Sequence, residues 1–462
     1  MRAVAKPNSN PASASYSAPW PKVKVGDALE LINGRAFKPS EWTKTGTPIV
    51  RIQNLNNPDA LYNYYQGELP EKISLNDGDL LFAWSGTPGT SFGAHIWRGG
   101  KAWLNQHIFK VLFDETQFDK RFLQLAINQN LAEYIRAAHG GAGLAHITKG
   151  RFEESVLPRP SLPEQRRIVA EIEKQFSRLE EGVGALRRVQ ANLKRYRAAV
   201  LKAACEGKLV PTEAEIAKSK KRKFETGEEL LARILAERRK NWQGRGKYKE
   251  PAAPDTAKLP PLPEGWAVAS VEQLAIKVVD GTHHTPTYMD DGIAFISVKD
   301  IRAGIVHFDN CKFITAEAHN ELIKRCHPEK GDILITKSGT IGRSAVVVTD
   351  RPFSLFVSVA LIKPVRGIFD PKFLKTALDA YIGGINISQD IKGALLKNLH
   401  LEDLCVVPIR LPPLAEQSRI VAEVERRLSV VEELEATVEA NLQRAARLRQ
   451  SILQKAFAGG LV

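Results

Sequence analysis

The chain has 462 residues, 43% of them hydrophobic, and 66 Lys and Arg against 52 Asp and Glu, a formal net charge of +14. Such a composition fits a soluble globular protein of two to four domains with sizeable cores, and no apolar run reaches the roughly 18 residues of a membrane-spanning helix. The excess positive charge points to a polyanion, nucleic acid first, as a partner, while four scattered cysteines (Cys205, Cys311, Cys326, Cys405) with no CxxC pair suit free thiols in a reducing cytoplasm.

Residues 1–19, rich in Ser, Ala, Pro and Asn, have no apolar segment of the kind a secretory signal needs and are expected to be a disordered lead-in. A globular unit over 20–161 comes next, opening at Trp20 (PWPKVKVGDAL). Its landmarks are the turn Gly34–Pro39, the strand-like PIVRIQNL at 48–55, GDLLFAWSGTPG from Gly78, and FDKRFL from Phe118. Short apolar runs closed by polar residues read as strands, and Asp119 reads as a helix cap. A Pro-rich turn, LPRPSLPEQ, then leads into a long helix over 162–210, with Pro and Glu suited to its first turn.

The region 211–262 holds the basic run Lys218, Lys220, Lys221, Arg222, Lys223, a short amphipathic helix (TGEELLARILAERRKNW) and a Pro- and Lys-rich stretch. Thr226 and Glu229 form a capping box for that helix. The segment is long enough to act as a linker that lets the second half of the chain swing.

That second half repeats the first. A second globular unit spans 263–413, opening at Trp266, with the turn Gly281–Pro286, AFISVKDI at 294–301, GDILITKSGTIG from Gly331 and FDPKFL from Phe369. A second long helix over 414–462 matches the first, without a gap, at an offset of 252. In both helices apolar residues recur every three or four positions, including Ile168, Ile172, Phe176, Leu179, Leu186 and Leu193 in the first, and Ile420, Val424, Leu428, Leu434, Leu448 and Ile452 in the second. That spacing predicts amphipathic helices with a coiled-coil seam. Each would be roughly 60 Å long at ~1.5 Å per residue, too long for one domain core, so each stripe finds its simplest partner in the other. Gly182 and Gly184 predict a bend or close approach mid-helix.

Motifs for self-contained catalysis are missing. There is no GxxxxGK[ST] loop and no GxGxxG between strand and helix; GGAG at 140–143 and GTIG at 339–342 lack those flanks and read as turns. His283 and His284 are adjacent, which is poor spacing for one metal ion. No catalytic or metal-binding residue is assigned.

The doubled order of globular unit and long helix, with LPPLAEQ-like turns, GDILITKSGTIG, DGTHHTP and the central TGEELLARILAERR, resembles the specificity (S) subunit of type I restriction-modification enzymes, from Trp20 to Val462. The resemblance implies an α+β protein: two mixed α/β target recognition domains joined by two long antiparallel helices forming a coiled-coil spacer, pseudo-two-fold from the internal repeat. It implies a non-catalytic subunit that reads a split site on double-stranded DNA, one half-site per recognition domain, with the spacer setting the gap. It further implies docking of two modification subunits that methylate adenine with S-adenosylmethionine and two restriction subunits that use ATP and Mg, none of these cofactors being bound by this chain. Because the two units differ where loops would meet bases, the site is expected to be asymmetric.

Carried to this sequence, the expected DNA contacts form three loop groups per unit. In the first they are Arg35 and Lys38; Arg51, Gln53, Asn54 and Asn56; Ser85, Thr87 and Thr90. In the second they are His283, His284 and Thr285; Lys299, Asp300 and Arg302; Lys337, Ser338, Thr340 and Arg343. Gln53 and Asn54 suit adenine, Arg51 and Arg302 suit guanine, and the Ser/Thr residues and Lys337 suit phosphates. The rival reading is a stand-alone coiled-coil DNA-binding or scaffolding protein.

Overall fold

The computed structural model describes residues 20–57, 60–86, 91–131, 134, 145–242, 246–257, 259–392 and 399–461. The chain divides into two compact units, one made of Met1–Arg187 with Glu439–Val462 and the other of Arg188–Val438.

In the first unit a four-stranded antiparallel sheet runs in the order Leu29–Asn33, Ile108–Phe113, Leu80–Ala83, Gly93–Ile96. The apolar run of Leu80–Ala83 is explained by burial on both faces: Leu80 and Phe82 enter one core, whereas Leu81 and Ala83 enter another. The second core lies under a sheet ordered Asn63–Tyr65, Thr47–Val50, Ala102–Leu104, Ser74–Leu75, in which Thr47–Val50 and Ala102–Leu104 are parallel. Helix Lys120–Gln129 closes the first core and is capped as expected, Asp119 accepting from the Phe122 amide at 2.9 Å. The ribbon Lys22–Lys24 with Val156–Pro158 ties the start of the unit to its end, and Trp20 Nε1 donates to Glu164 at 3.0 Å.

The second unit repeats this framework. Its main sheet runs Ala275–Asp280, Val359–Pro364, Ile333–Thr336, Ser344–Val346. Ile333 and Ile335 face one core and Leu334 the other. Ile293–Ile296 and Phe353–Leu355 supply the parallel pair, Ala267–Ser270 and Pro408–Leu411 the ribbon, and Trp266 Nε1 donates to Glu416 at 3.1 Å.

Residues 211–262 are not a swinging linker. The Thr226/Glu229 capping box forms as read, with Thr226 N donating to Glu229 at 2.8 Å and Glu229 N to Thr226 Oγ1 at 3.2 Å. However, Leu230 and Ile234 of helix Gly227–Lys240 are fully buried in the core with Trp266 and Leu411. Arg238 donates to the Ala275 carbonyl at 2.8 Å, and the Glu213 amide donates to Glu416 at 2.8 Å. An amphipathic helix next to an apolar ribbon gains more from docking than from freedom.

The long helices are Leu162–Cys205 and Leu414–Phe457, 44 residues each. In the first unit Ile168, Ile172 and Phe176 share a core with Ile452, Ala456 and Phe457; the Arg449 guanidinium lies 4.1 Å from the Phe176 ring and pairs with Glu180 at 3.0 Å. In the second unit Val200 and Ala204 share a core with Ile420, Val421 and Val424, and Arg197 pairs with Glu435 at 3.1 Å and Glu432 at 3.7 Å. In each unit rising numbers on one helix meet falling numbers on the other, so the pair is antiparallel. Leu179, Leu186, Leu193 and Leu428 are half-buried, but Leu434 and Leu448 are 45% and 50% exposed. Between and beside them Val431, Val438 and Ile452 are buried; these three lie on one seven-residue line, from which Leu434 and Leu448 are rotated away. The first helix also runs unbroken through Gly182, beside which an added Cβ would meet nothing within 4 Å, so no close approach is made at that glycine.

Candidate nucleic-acid interface

In the second unit the three expected loop groups meet around residues Phe356–Ser358. Thr282 N donates to the Leu355 carbonyl and Val357 N to the Thr282 carbonyl, both at 2.9 Å; Phe356 N donates to the Ile296 carbonyl at 2.9 Å and Lys337 N to the Ser358 carbonyl at 2.9 Å. The Val298 amide adds a bond to Ser358 Oγ at 3.2 Å. Gly281 allows this convergence, because a Cβ there would lie 2.1 Å from the Leu355 carbonyl oxygen.

His283, His284, Thr285, Lys299, Arg302, Thr340 and Arg343 are exposed around this junction, and Ser338 is half-buried. Arg302 is engaged with Asp309 at 3.1 Å. Two of the expected contacts are engaged within the protein. Asp300 is 3% exposed and its carboxylate caps its own turn, accepting from Ser297 N and Oγ at 2.8 Å. Lys337 is turned onto Asp280, which is 2% exposed and also takes Arg325 and, at 3.3 Å, His283. Burial pushes the Asp280 carboxyl up, but hydrogen bonds and charge from Lys337 and Arg325 outweigh it and hold the group below its ordinary value.

In the first unit the same junction is built on Asn105–His107. Arg35 N donates to the Leu104 carbonyl at 2.9 Å, Asn105 N to the Val50 carbonyl at 3.2 Å and Trp84 N to the His107 carbonyl at 3.3 Å. Gly34 plays the part of Gly281, with a Cβ there only 2.1 Å from the Asn105 carbonyl oxygen.

Lys38, Gln53 and Asn56 are exposed. Arg35 is half-buried, paired with Glu41 and 5.1 Å from the ring centres of Phe37 and Tyr65; its hydrogen bond to Tyr65, foremost, keeps its pKa above the ordinary value. Arg51 sits 5.2 Å from the centre of Trp42. Asn54 is 4% exposed and its amide closes its turn, accepting from Arg51 N at 3.0 Å and donating to the Ala60 carbonyl at 3.3 Å. Ser85 is likewise buried, on the short strand Ser85–Gly86 paired with Ala145–His146. Thr87 and Thr90 lie outside the described residues.

Several residues at these junctions are absent from the expected set. Trp84 lies 5.2 Å from His107 and 6.2 Å from His146, centre to centre. Burial, then the charges of His146 and Arg51, push the His107 imidazole below its ordinary value. In the second unit Asp280, Arg325, Phe356 and Ser358 line the junction. Extending the repeat through WLNQHIF and SLFVSVA is the sequence signal that finds His107, Phe356 and Ser358. Among the described residues no group of three His, Cys, Asp or Glu side chains is placed to hold a metal ion, and no helix is long and apolar enough to cross a membrane.

Two units built to one plan, each gathering exposed polar and cationic loops at one set of strand ends, are what comparison with known proteins explains. Residues 18–184 match the family described as type I restriction modification DNA specificity domain. The chain is 28% identical over 447 residues to the type I restriction enzyme EcoBI specificity subunit of Escherichia coli, covering 96% of this chain and 86% of that one. Residues 18–184 thus carry a type I restriction modification DNA specificity domain, and nearly the whole chain is similar to type I specificity subunits. It is also 24% identical over 457 residues to the EcoDI specificity subunit of Escherichia coli, covering 96% and 88% of the two chains. The fold agrees with a chain solved in a study of complex assembly and conformational transition of the type I restriction-modification system, at a TM-score of 0.64, 19% identity and coverage of 96% and 98%. The matched DNA specificity domain contains all three loop groups of the first unit.

Proposed function

We infer that each globular unit reads one half of a split, asymmetric DNA site, and that the paired helices set the gap between the halves. The observation that carries this is the repeated junction: the same three loops, hung on the same strands, converge in both units while their exposed side chains differ. Equivalent frameworks give equivalent approaches to a duplex, and unlike side chains give unlike half-sites. The net charge of +14 supplies the sequence-independent attraction.

In this reading the chain is not itself the catalyst and binds no cofactor. Two modification subunits dock on it and methylate adenine with S-adenosylmethionine, and two restriction subunits add ATP- and Mg-dependent cleavage of unmodified DNA in the cytoplasm. The helices carry exposed apolar side chains for docking, among them Val189, Tyr196, Val430 and Leu434 in the second unit. Sequencing N6-methyladenine in host DNA with the gene intact and deleted tests the proposal. The expected result is a two-part asymmetric motif, methylated on both strands, that disappears with the gene; an unchanged methylome, with the partner subunits expressed, overturns it. Arg302→Ala is expected to relax the choice at one base pair by about 1–3 kcal/mol, seen as a degenerate position in the methylated motif.

A further inference from the structure

The two junctions share backbone geometry but differ in kind at one place. Gly34 N donates to the Ile108 carbonyl at 3.3 Å and Gly281 N to the Val359 carbonyl at 3.2 Å; Trp84 N and Lys337 N donate to the His107 and Ser358 carbonyls. These matched bonds align Asn33 with Asp280 and Trp84 with Lys337. Where the first unit has an amide and an indole, the second has a buried carboxylate with two cations drawn onto it.

We propose that Asp280 is the positioning residue of the second recognition unit, holding Lys337, Arg325 and the Gly281 turn as one fixed surface that reads its half-site. The inference rests on the chain reading DNA as above. Asp280 itself, 2% exposed, stands behind the loops and does not touch the duplex. Lys337 is largely covered, its side chain 17% exposed. Arg325 gives one terminal nitrogen to Asp280 and the other to the Gly281 carbonyl, at 3.0 Å, the residue from which the His283–Thr285 loop departs. An untethered Lys and Arg would be drawn to the phosphates of any sequence. Tethered to one carboxylate, they contribute one net charge fewer and a set geometry, so binding depends on the bases that the exposed loop residues meet.

Asp280→Asn tests this in the full chain assembled with its modification subunits. The probes are duplexes carrying the methylated motif intact, with the first half scrambled, or with the second half scrambled. Asparagine matches aspartate in size and stands at the aligned, exposed position of the first unit, and thermal unfolding of the variant complex checks that it is folded. Discrimination at the second half-site is expected to fall about ten-fold or more, on the scale of one specific base contact. The plot of log K against log salt should steepen by about one, for one more phosphate contact, while discrimination at the first half stays as it was. Asp280→Asn with Lys337→Trp reproduces the first unit's pair; the salt slope should then return toward that of the parent while second-half discrimination stays low. Unchanged slope and discrimination in Asp280→Asn overturn the proposal and leave the DNA-reading assignment standing, as does an equal loss on all three duplexes, which marks a merely structural residue. A parent complex that cannot tell the intact motif from the scrambled ones overturns both.

Discussion

A carboxylate as covered as Asp280 stays ionised only because two cations reach it, and this makes it sensitive to acid. Its folded pKa is depressed, so its contribution to stability is fully present above the ordinary Asp value of about 3.9 and is lost as pH falls through the folded value. Protection of strand Ala275–Asp280 from hydrogen exchange, relative to the unfolded chain at the same pH, should therefore fall below about pH 4 in the parent. Asp280→Asn should exchange faster at pH 7 and show less of this acid dependence; the same acid response in both would remove the cluster as its cause. Asn54 gives the complementary case. Its amide closes a turn, so Asn54→Ala should cost about 1–2 kcal/mol of stability in thermal unfolding and leave the methylated motif unaltered. Sequence reading finds the loops at this scale but not which polar side chains turn inward. Asn54 and Asp300 each stand three residues after an amide they satisfy, Arg51 and Ser297, and that local bond competes with any bond to a base.

The long helices are the most legible elements, because a period of three to four over 44 residues admits no strand. The period leaves open which of two adjacent stripes is buried, and burial selects Val431, Val438 and Ile452 over Leu434 and Leu448. Ile420→Ala, at a fully buried position, should lower stability by about 2–5 kcal/mol, whereas Leu434→Ala should change it by less than about 1 kcal/mol; equal losses in denaturant melts would contradict the seam described. Gly182→Ala, with open space around the new methyl, should stabilise its helix by about 1 kcal/mol. A loss there would mean that the glycine serves a partner. The helix Gly227–Lys240 is equally legible as an element, but its docking is not: composition near it is polar and Pro-rich, and only the ribbon Ala267–Ser270, distant in sequence, reveals what Leu230 and Ile234 pack against.

For the whole chain, doubling is what sequence states most plainly, since offsets of 246 to 253 tie strand to strand and helix to helix. If the helices set the gap, seven residues inserted in each, after Arg187 and before Glu439, keep the seam in phase and lengthen the pair by about 10 Å. The methylated motif should then widen by about three base pairs, at roughly 3.4 Å per step; an unaltered gap would mean that something other than helix length fixes it. What doubling does not disclose is how the chain is shared between units. The first unit is discontinuous, for Ile452, Ala456 and Phe457 complete its core, the Phe457 ring lying 5.3 Å from Phe122. These residues leave the ribosome about 250 residues after Arg187, roughly 12 to 50 s later at translation rates of about 5–20 residues per second. The second unit, one unbroken stretch from Arg188 to Val438, has all its parts sooner. The unit begun first is thus finished last, its core left incomplete while the second unit is synthesised.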